Sequence, residues 1–306
     1  MNPGRSLLGD PAVEPLLSPS LMARLERLEL VSRKMFRGRM KGERQSRRKG
    51  QSVEFADFRN YVPGDDLRQI DWNLYARLDQ LFLKLFQEEE DLHVHGLVDG
   101  SASMRFGNPS KFRVACQTAA SLGYVGLCRG DRVRVAVMGS EASRAPVIRG
   151  RRGVGRLSEY LDSVDRGGAD HNLSLVTGVR DFVSRHGRAG VVILLTDLLD
   201  KSGYDAAIRL LVSRRMDVIV MHLIAPEEID PPTEGDRRLI DVEDHEAIEL
   251  TLTPLVRERY RQRVRAFSDR AKTFCSARGA VYIPVRTEVP VEEIVTKYLR
   301  HRGVVR

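Results

Sequence analysis

The clearest pattern along the chain is an alternation between short apolar runs and longer stretches with helical spacing. Four runs have the length and residue types of strands: residues 92–98, 132–138, 191–196 and 218–224. Four stretches repeat apolar residues at the spacing of one helix face: residues 111–129, 154–164, 173–184 and 204–215. Strands and helices that alternate across short turns predict an α/β fold, a doubly wound and mostly parallel sheet with helices on both faces.

Further elements are predicted outside this alternation. Single helices are predicted at four places: residues 21–35, 66–78, 254–278 and 291–299. Single strands are predicted over 81–86 and 280–284. Residues 239–242 and 247–252 predict a short hairpin, and 145–148 is predicted to pair with the strand at 132–138.

The composition indicates a soluble globular protein but does not identify its partner. The 306 residues are 42% hydrophobic and 30% charged, with a net charge of +8, which is an ordinary balance for a soluble domain with a mild preference for acidic partners. No apolar run approaches the roughly 20 residues that span a bilayer, and the first residues do not have the pattern of a signal peptide. With only three scattered cysteines, we expect a cytoplasmic protein.

Candidate chemistry follows two of the predicted strands. Asp99, Ser101 and Ser103 come directly after the strand at 92–98, and Asp197 ends the run at 191–196. Carboxylate and hydroxyl oxygens are ligands for hard cations such as Mg²⁺, Ca²⁺ or Mn²⁺. If the two strands are neighbours, these side chains face one crevice at the carboxyl edge of the sheet. The alternative is that Asp99 or Ser101 only caps the next helix.

Residues 50–90 have an unusual composition, with the only tryptophan, Trp72, among acidic and basic side chains. The charged residues of interest are four aspartates and three arginines: Asp57, Asp65, Asp66, Asp71, Arg59, Arg68 and Arg77. Asp–Arg pairs near aromatic rings predict a hydrogen-bonded lock that holds this segment to a larger body. A catalytic role for the carboxylates is the alternative.

These motifs resemble those of a known family. The sequence L-V-D-G-S-A-S-M at the end of one strand, with T-D at the end of a later one, resembles the von Willebrand factor A fold and its metal-ion-dependent adhesion site. The upstream stretch S-V-E-F-A-D-F-R-N-Y-V-P-G-D-D-L-R-Q-I-D-W-N-L-Y-A-R is similar to the signature of the domain of unknown function 58 family, and the likeness covers roughly residues 35–200. It implies a bacterial or archaeal protein that works beside a MoxR-type AAA+ ATPase in chaperone-like or assembly roles, with no established enzymatic activity.

The resemblance also implies a metal site. Position by position, Asp99, Ser101 and Ser103 fall in the first metal loop, and Asp197 is the acid of the third loop, often bound through water. The second loop of the family usually supplies a threonine, but Ala169 stands here and has no ligand atom. Asp170 is the candidate substitute, and His171 is the alternative if the register slips by one residue. An occupied Mg²⁺ site and a vestigial one therefore both stay open.

The sequence predicts three regions and ranks three functions. Residues 1–35 are expected to form an arm and a helix, 36–91 a basic linker with a family segment packed on the core, and 92–306 the von Willebrand factor A-like domain with a helical extension. The preferred function is a non-enzymatic protein-interaction module. The alternatives are a nucleic-acid-binding protein that uses the basic residues 33–49, and a metal-dependent hydrolase. The oligomeric state is not predicted.

Overall fold

A computed structural model describes residues 15–31, 53–88, 92–139, 145–167, 174–186, 190–231, 235–242 and 246–306. These residues form two compact units. The smaller unit lies within residues 37–91, and the larger one comprises the described residues before and after it. The three regions predicted from the sequence stay a prediction.

The larger unit is built around a six-stranded sheet with the strand order β10-β7-β6-β3-β4-β5. Its strands are β3 (His93–Val98), β4 (Arg132–Val137), β5 (Ile148–Arg149), β6 (Val191–Thr196), β7 (Asp217–Ile224) and β10 (Val281–Arg286). All neighbouring strands are parallel except β5, which pairs antiparallel with β4. The predicted mixed α/β fold with a mostly parallel sheet is confirmed.

Helices cover both faces of this sheet. They are α1 (Pro19–Leu25), α3 (Lys111–Cys128), α4 (Val154–Gly167), α5 (Leu175–Arg185), α6 (Asp205–Ser213), α7 (Pro226–Ile229), α8 (Pro254–Ser276), α9 (Val291–Glu293) and α10 (Leu299–His301), with one π-turn over Ile294–Tyr298. One apolar core contains side chains of α1, α3, α4 and the C-terminal helices, and a second contains side chains of α5, α6 and α8. Of the described helices, none is long and apolar enough to cross a membrane.

Strand β3 lies at the centre of the sheet, and its register positions the site. Val98, its last residue, is aligned with Val137 of β4 and with Leu195 of β6. The carboxyl ends of β3 and β6 therefore meet at one edge, which brings the loop after Val98 beside Thr196. This is the edge at which open α/β sheets place ligands.

The smaller unit consists of an antiparallel hairpin, β1 (Val53–Asn60) with β2 (Phe82–Glu88), and the helix α2 (Trp72–Leu78). Asp71 caps α2, because its carboxylate accepts the backbone N–H groups of the next turn. Arg59 forms a two-bond pair with Asp65 at 2.6 and 2.7 Å. The predicted Asp–Arg pairing is thus present inside the segment itself, and β1 was not predicted.

Some predicted boundaries were wrong for identifiable reasons. The helix predicted over 21–35 ends at Leu25, because Leu28 and Leu30 are buried and Leu30 forms an antiparallel bridge with Val305. The helix predicted over 66–78 is interrupted at Ile70, which forms a bridge with Leu83. Tertiary pairing overrode local helical preference in both places. The predicted hairpin at 239–252 is present as β8 (Gly235–Ile240) and β9 (Ala247–Leu252).

Candidate functional site

The candidate site begins where β3 ends. The backbone N–H of Asp99 donates to the Leu195 carbonyl at 2.9 Å, which ties the start of the loop to β6. Gly100 follows in a position that no larger residue could take, because an added Cβ would lie 2.3 Å from the Met138 carbonyl oxygen. The loop therefore crosses directly over the end of β4, and the glycine of the D-G-S motif is explained by this close approach.

Asp99 holds the two strand ends together. Its side chain is only 6% exposed. One carboxylate oxygen accepts the Thr196 hydroxyl at 2.6 Å, and the other accepts the Ser101 backbone N–H at 3.0 Å. Thr196 in turn accepts the backbone N–H of Leu198 at 3.1 Å. Leu198 has a φ of 61°, a strained conformation for a leucine, which this hydrogen bond helps to fix.

Ser101 and Ser103 point their hydroxyls at each other across 3.2 Å. Both residues are partly exposed, unlike the carboxylates beneath them. Phe106 follows this pair in the chain, Leu199 follows Asp197 after β6, and the two side chains are 46% and 49% exposed. We call Ser101, Ser103, Phe106 and Leu199 the rim. The rim offers two hydroxyls and two apolar side chains to a binding partner.

Asp197, the second predicted carboxylate, is 2% exposed and pairs with a lysine. The Lys111 ammonium, which is fully buried, lies 2.7 Å from Asp197 Oδ2 and also contacts the Glu228 carboxylate. Backbone N–H groups hold both acids from the other side: Leu199 donates to Asp197 Oδ1 at 3.1 Å, and Ala225 donates to Glu228 Oε2 at 2.8 Å. Each carboxylate is therefore oriented by a backbone N–H group as well as by the ammonium.

Burial sets the electrostatics of this edge. It raises the pKa of the Asp99 carboxyl above its ordinary value, and the nearby negative charge of Asp197 raises it further, while hydrogen bonds from Thr196 and Ser101 act in the opposite direction. Burial likewise lowers the pKa of His222, on the adjacent strand, to about 4. His222 is therefore neutral near pH 7, and Lys111 provides the positive charge beside Asp197.

The donor set does not fit the predicted divalent cation. The Lys111 ammonium stands where a cation would meet Asp197. Both Asp99 oxygens already accept hydrogen bonds, and the Ser101 and Ser103 hydroxyls are directed at each other. Across the described residues, no group of three or more His, Cys, Asp or Glu side chains could hold a metal ion. Mg²⁺ requires near-octahedral oxygen ligands at about 2.0–2.1 Å, an arrangement that these contacts do not provide.

The structure brings most of the predicted site residues to one place. Asp99, Ser101, Ser103 and Asp197 all lie at the carboxyl ends of β3 and β6. The two acids face inward, whereas the prediction had them presented to a partner through a metal. Asp170 and His171 lie outside the described residues, and so does the basic segment 33–49, so the predictions made for them are untested.

Three residues of the network were missed from the sequence. Thr196 could have been recognised as the one polar side chain in an otherwise apolar strand. Lys111, like Arg113, is a cation in the first turn of a largely buried helix, where the helix dipole disfavours positive charge, and this was the signal available for it. Glu228 lies in the short helix α7, more than a hundred residues away from Lys111 in the chain, and no local pattern marks it.

Comparison with known proteins identifies a family and several relatives. The family model described as "Protein of unknown function DUF58" matches residues 57–270. Uncharacterized proteins of Mycobacterium bovis and Mycobacterium tuberculosis are 25% identical to this chain over 274 residues, which is 88% of this chain and 86% of theirs. Their descriptions name no substrate or partner.

Solved structures give a weaker likeness. An aerotolerance-related membrane protein from Bacteroides fragilis is 16% identical and matches with a TM-score of 0.40 over 69% of this chain and 99% of its own. The conserved hypothetical protein BatB from Bacteroides thetaiotaomicron is 18% identical, also with a TM-score of 0.40, over 69% of this chain and 98% of its own. Similarity at this level carries no argument about function.

Proposed function

Because the chain belongs to the DUF58 family, and because its paired acids are turned inward, we propose that it is a non-enzymatic protein-interaction module. The partner docks on the rim at the carboxyl edge of the sheet. The fold we propose for the larger unit is von Willebrand factor A-like, and the loops after β3 and β6 form its docking edge.

The observation that carries this proposal is the hydrogen bond between Thr196 and Asp99. At 2.6 Å and fully buried, it joins the ends of two strands that lie 97 residues apart in the chain. A buried bond to a carboxylate is stronger than a neutral one and holds the two loops in a fixed relation. The rim is therefore preorganised, which reduces the entropy that binding must cost.

The chemistry of the rim favours a protein partner. Phe106 is an exposed aromatic side chain, a type that is enriched at protein–protein interfaces. Leu199 adds apolar area, and the Ser101 and Ser103 hydroxyls can exchange their mutual hydrogen bond for bonds to a partner. No described rim residue is basic, so the rim itself offers no cation to a phosphate backbone.

We propose a MoxR-type AAA+ ATPase as the partner. The support is the resemblance of residues 35–200 to a family that works beside such ATPases, together with the family match. A chaperone-like or assembly role follows from that partnership, since the chain would present the rim to an ATPase that remodels other proteins.

The test is a binding measurement with the purified MoxR-type ATPase of the same organism. The Phe106→Ser/Leu199→Ser double variant removes both apolar groups of the rim. Val147→Ser is the matched control, because Val147 is 51% exposed and lies beside the edge strand β5, away from the rim. We expect the double variant to bind at least about tenfold more weakly, which corresponds to about 1.4 kcal/mol.

The control must retain wild-type affinity for this result to count. Equal affinities for the wild type and the double variant would show that the rim does not bind this ATPase. Binding that is lost equally in the control would show that any loss of exposed apolar surface weakens the complex, and the rim would then have no special role.

A further inference from the structure

We infer that Lys111 takes the place of a divalent cation at this site, so that the crevice works with a built-in ammonium instead of a bound metal. The inference concerns the charge at the site and stands whichever partner binds the rim. It also explains why a D-x-S-x-S loop at the end of a buried strand is found here without a ligand set for a metal.

The position of Lys111 is energetically unfavourable in two respects, so specific contacts must hold the side chain there. Lys111 is the first residue of α3, directly after the Ser110 cap. A cation is disfavoured at this end of a helix, and a buried ammonium loses its hydration at a cost of several kcal/mol. Lys111 is nevertheless fully buried. Only specific partners can offset both costs.

Those partners are two carboxylates from separate elements. Asp197 follows β6 and lies 2.7 Å from the ammonium, and Glu228 belongs to α7 and also contacts it. Both acids are oriented by backbone N–H groups, so their oxygens converge on one point. A bound cation would be held by the same two features: converging oxygens, and orientation of each ligand by a second contact.

A divalent cation and this ammonium exclude each other. A metal bound to the free side of Asp197 would lie within a few ångströms of the Lys111 nitrogen, and like charges at that separation repel by several kcal/mol even at an effective dielectric constant of about 20. The remaining oxygens already have partners: those of Asp99 accept the Ser101 N–H and the Thr196 hydroxyl, and the Ser101 and Ser103 hydroxyls bond to each other. The site therefore accommodates one cation, and the Lys111 ammonium is that cation.

The test compares the binding of Mn²⁺, followed by electron paramagnetic resonance, in the wild type and in Lys111→Ala. At about 1 mM Mn²⁺, within the range of weak protein sites, we expect no saturable binding to the wild type. We expect Lys111→Ala to bind about one Mn²⁺ per chain, because the substitution leaves two oriented carboxylates and an open space. Adding Asp197→Asn to Lys111→Ala should remove that binding.

Saturable Mn²⁺ binding to the wild type that is lost in Ser101→Ala would overturn the inference. A folded Lys111→Ala variant that binds no Mn²⁺ would also overturn it and reduce Lys111 to a structural ion-pair partner. Circular dichroism checks the fold. If Lys111→Ala is unfolded without metal, recovery of its fold on adding Mn²⁺ supports the inference, and failure to recover counts against it.

Discussion

Two buried ionisable side chains lie four residues apart, His95 within β3 and Asp99 just after it, and they differ in their hydrogen bonding. Asp99, just beyond the carboxyl end of the strand, accepts hydrogen bonds from Thr196 and Ser101. His95, within the strand, is 5% exposed, and neither of its ring nitrogens has a hydrogen-bond partner among the described residues. Its ring instead packs edge-on against Phe182, with the ring centres 5.2 Å apart.

The difference depends on whether the buried side chain carries a charge. Burial lowers the pKa of His95 to about 3, so the imidazole is neutral near pH 7 and needs no counter-charge. The acids at the carboxyl edge are held by hydrogen bonds and by the Lys111 ammonium, because a buried carboxylate without partners is costly. A network of partners around a buried polar group is therefore a better sign of a functional site than burial alone.

Removing the Lys111 ammonium is expected to have the largest effect on the free energy of unfolding. Lys111→Met keeps the length of the side chain but leaves Asp197 buried, and Glu228 partly buried, without their cation. Breaking a buried pair in this way costs about 3–5 kcal/mol, so urea denaturation should show a loss of that size in the free energy of unfolding.

Arg151→Met is the control for this measurement. Arg151 pairs with Glu26 at 2.7 Å, but the two side chains are 61% and 41% exposed. Exposed pairs contribute less than about 1 kcal/mol. If the two substitutions cost the same, the ammonium at the carboxyl edge is not the buried, necessary charge described here.

A smaller effect is expected from the hydroxyl that joins the strand ends. Thr196→Val removes the donor to Asp99 and the acceptor for the Leu198 N–H, which leaves buried groups unsatisfied at a cost of about 1–3 kcal/mol. Thr118→Val is the matched control, because Thr118 is fully buried and its hydroxyl has no hydrogen-bond partner in the described part of the chain. We expect Thr118→Val to be neutral or stabilising. A larger loss of unfolding free energy in Thr118→Val than in Thr196→Val, measured by chemical denaturation, would contradict the comparison.

The smallest effect is a pH dependence due to His95. Its folded pKa, about 3, lies below the ordinary value of 6.5, chiefly through burial and then through the charges of His93, His186 and Arg134. Its contribution to stability is complete above pH 6.5 and is lost as pH falls toward 3. His95→Leu should therefore lose about 1 kcal/mol less than the wild type between pH 6.5 and 5.5. Parallel stability curves for the two proteins would contradict this assignment.

The alternation of strands and helices could be predicted because β6 and β7 are nearly continuous apolar runs and β4 alternates apolar with basic residues. Val191–Thr196 was predicted without error, and Asp217–Ile224 to within one residue. The helix predicted over 21–35 failed because its apolar spacing serves a different structure: Leu28 and Leu30 are buried where the chain pairs with Val305. No local pattern distinguishes that pairing from a helix face.

The site could be predicted only in part, for a related reason. Asp99 and Asp197 were identified because parallel strands bring their carboxyl ends to one edge. The contact of Lys111 with Glu228 joins residues 117 positions apart, and their sequence neighbours give no sign of it. The prediction therefore found the acids but not Lys111, whose ammonium lies 2.7 Å from Asp197.

The most direct test of this account is the thermal unfolding of the wild type in millimolar Mg²⁺ and in EDTA. A ligand present at about 100 times its dissociation constant stabilises the folded state by about 2.7 kcal/mol, which shifts the melting temperature by several degrees. With Lys111 as the resident cation, we predict the same melting temperature in both solutions. A melting temperature raised by Mg²⁺, lowered again by EDTA and insensitive to both in Asp197→Asn would contradict the account.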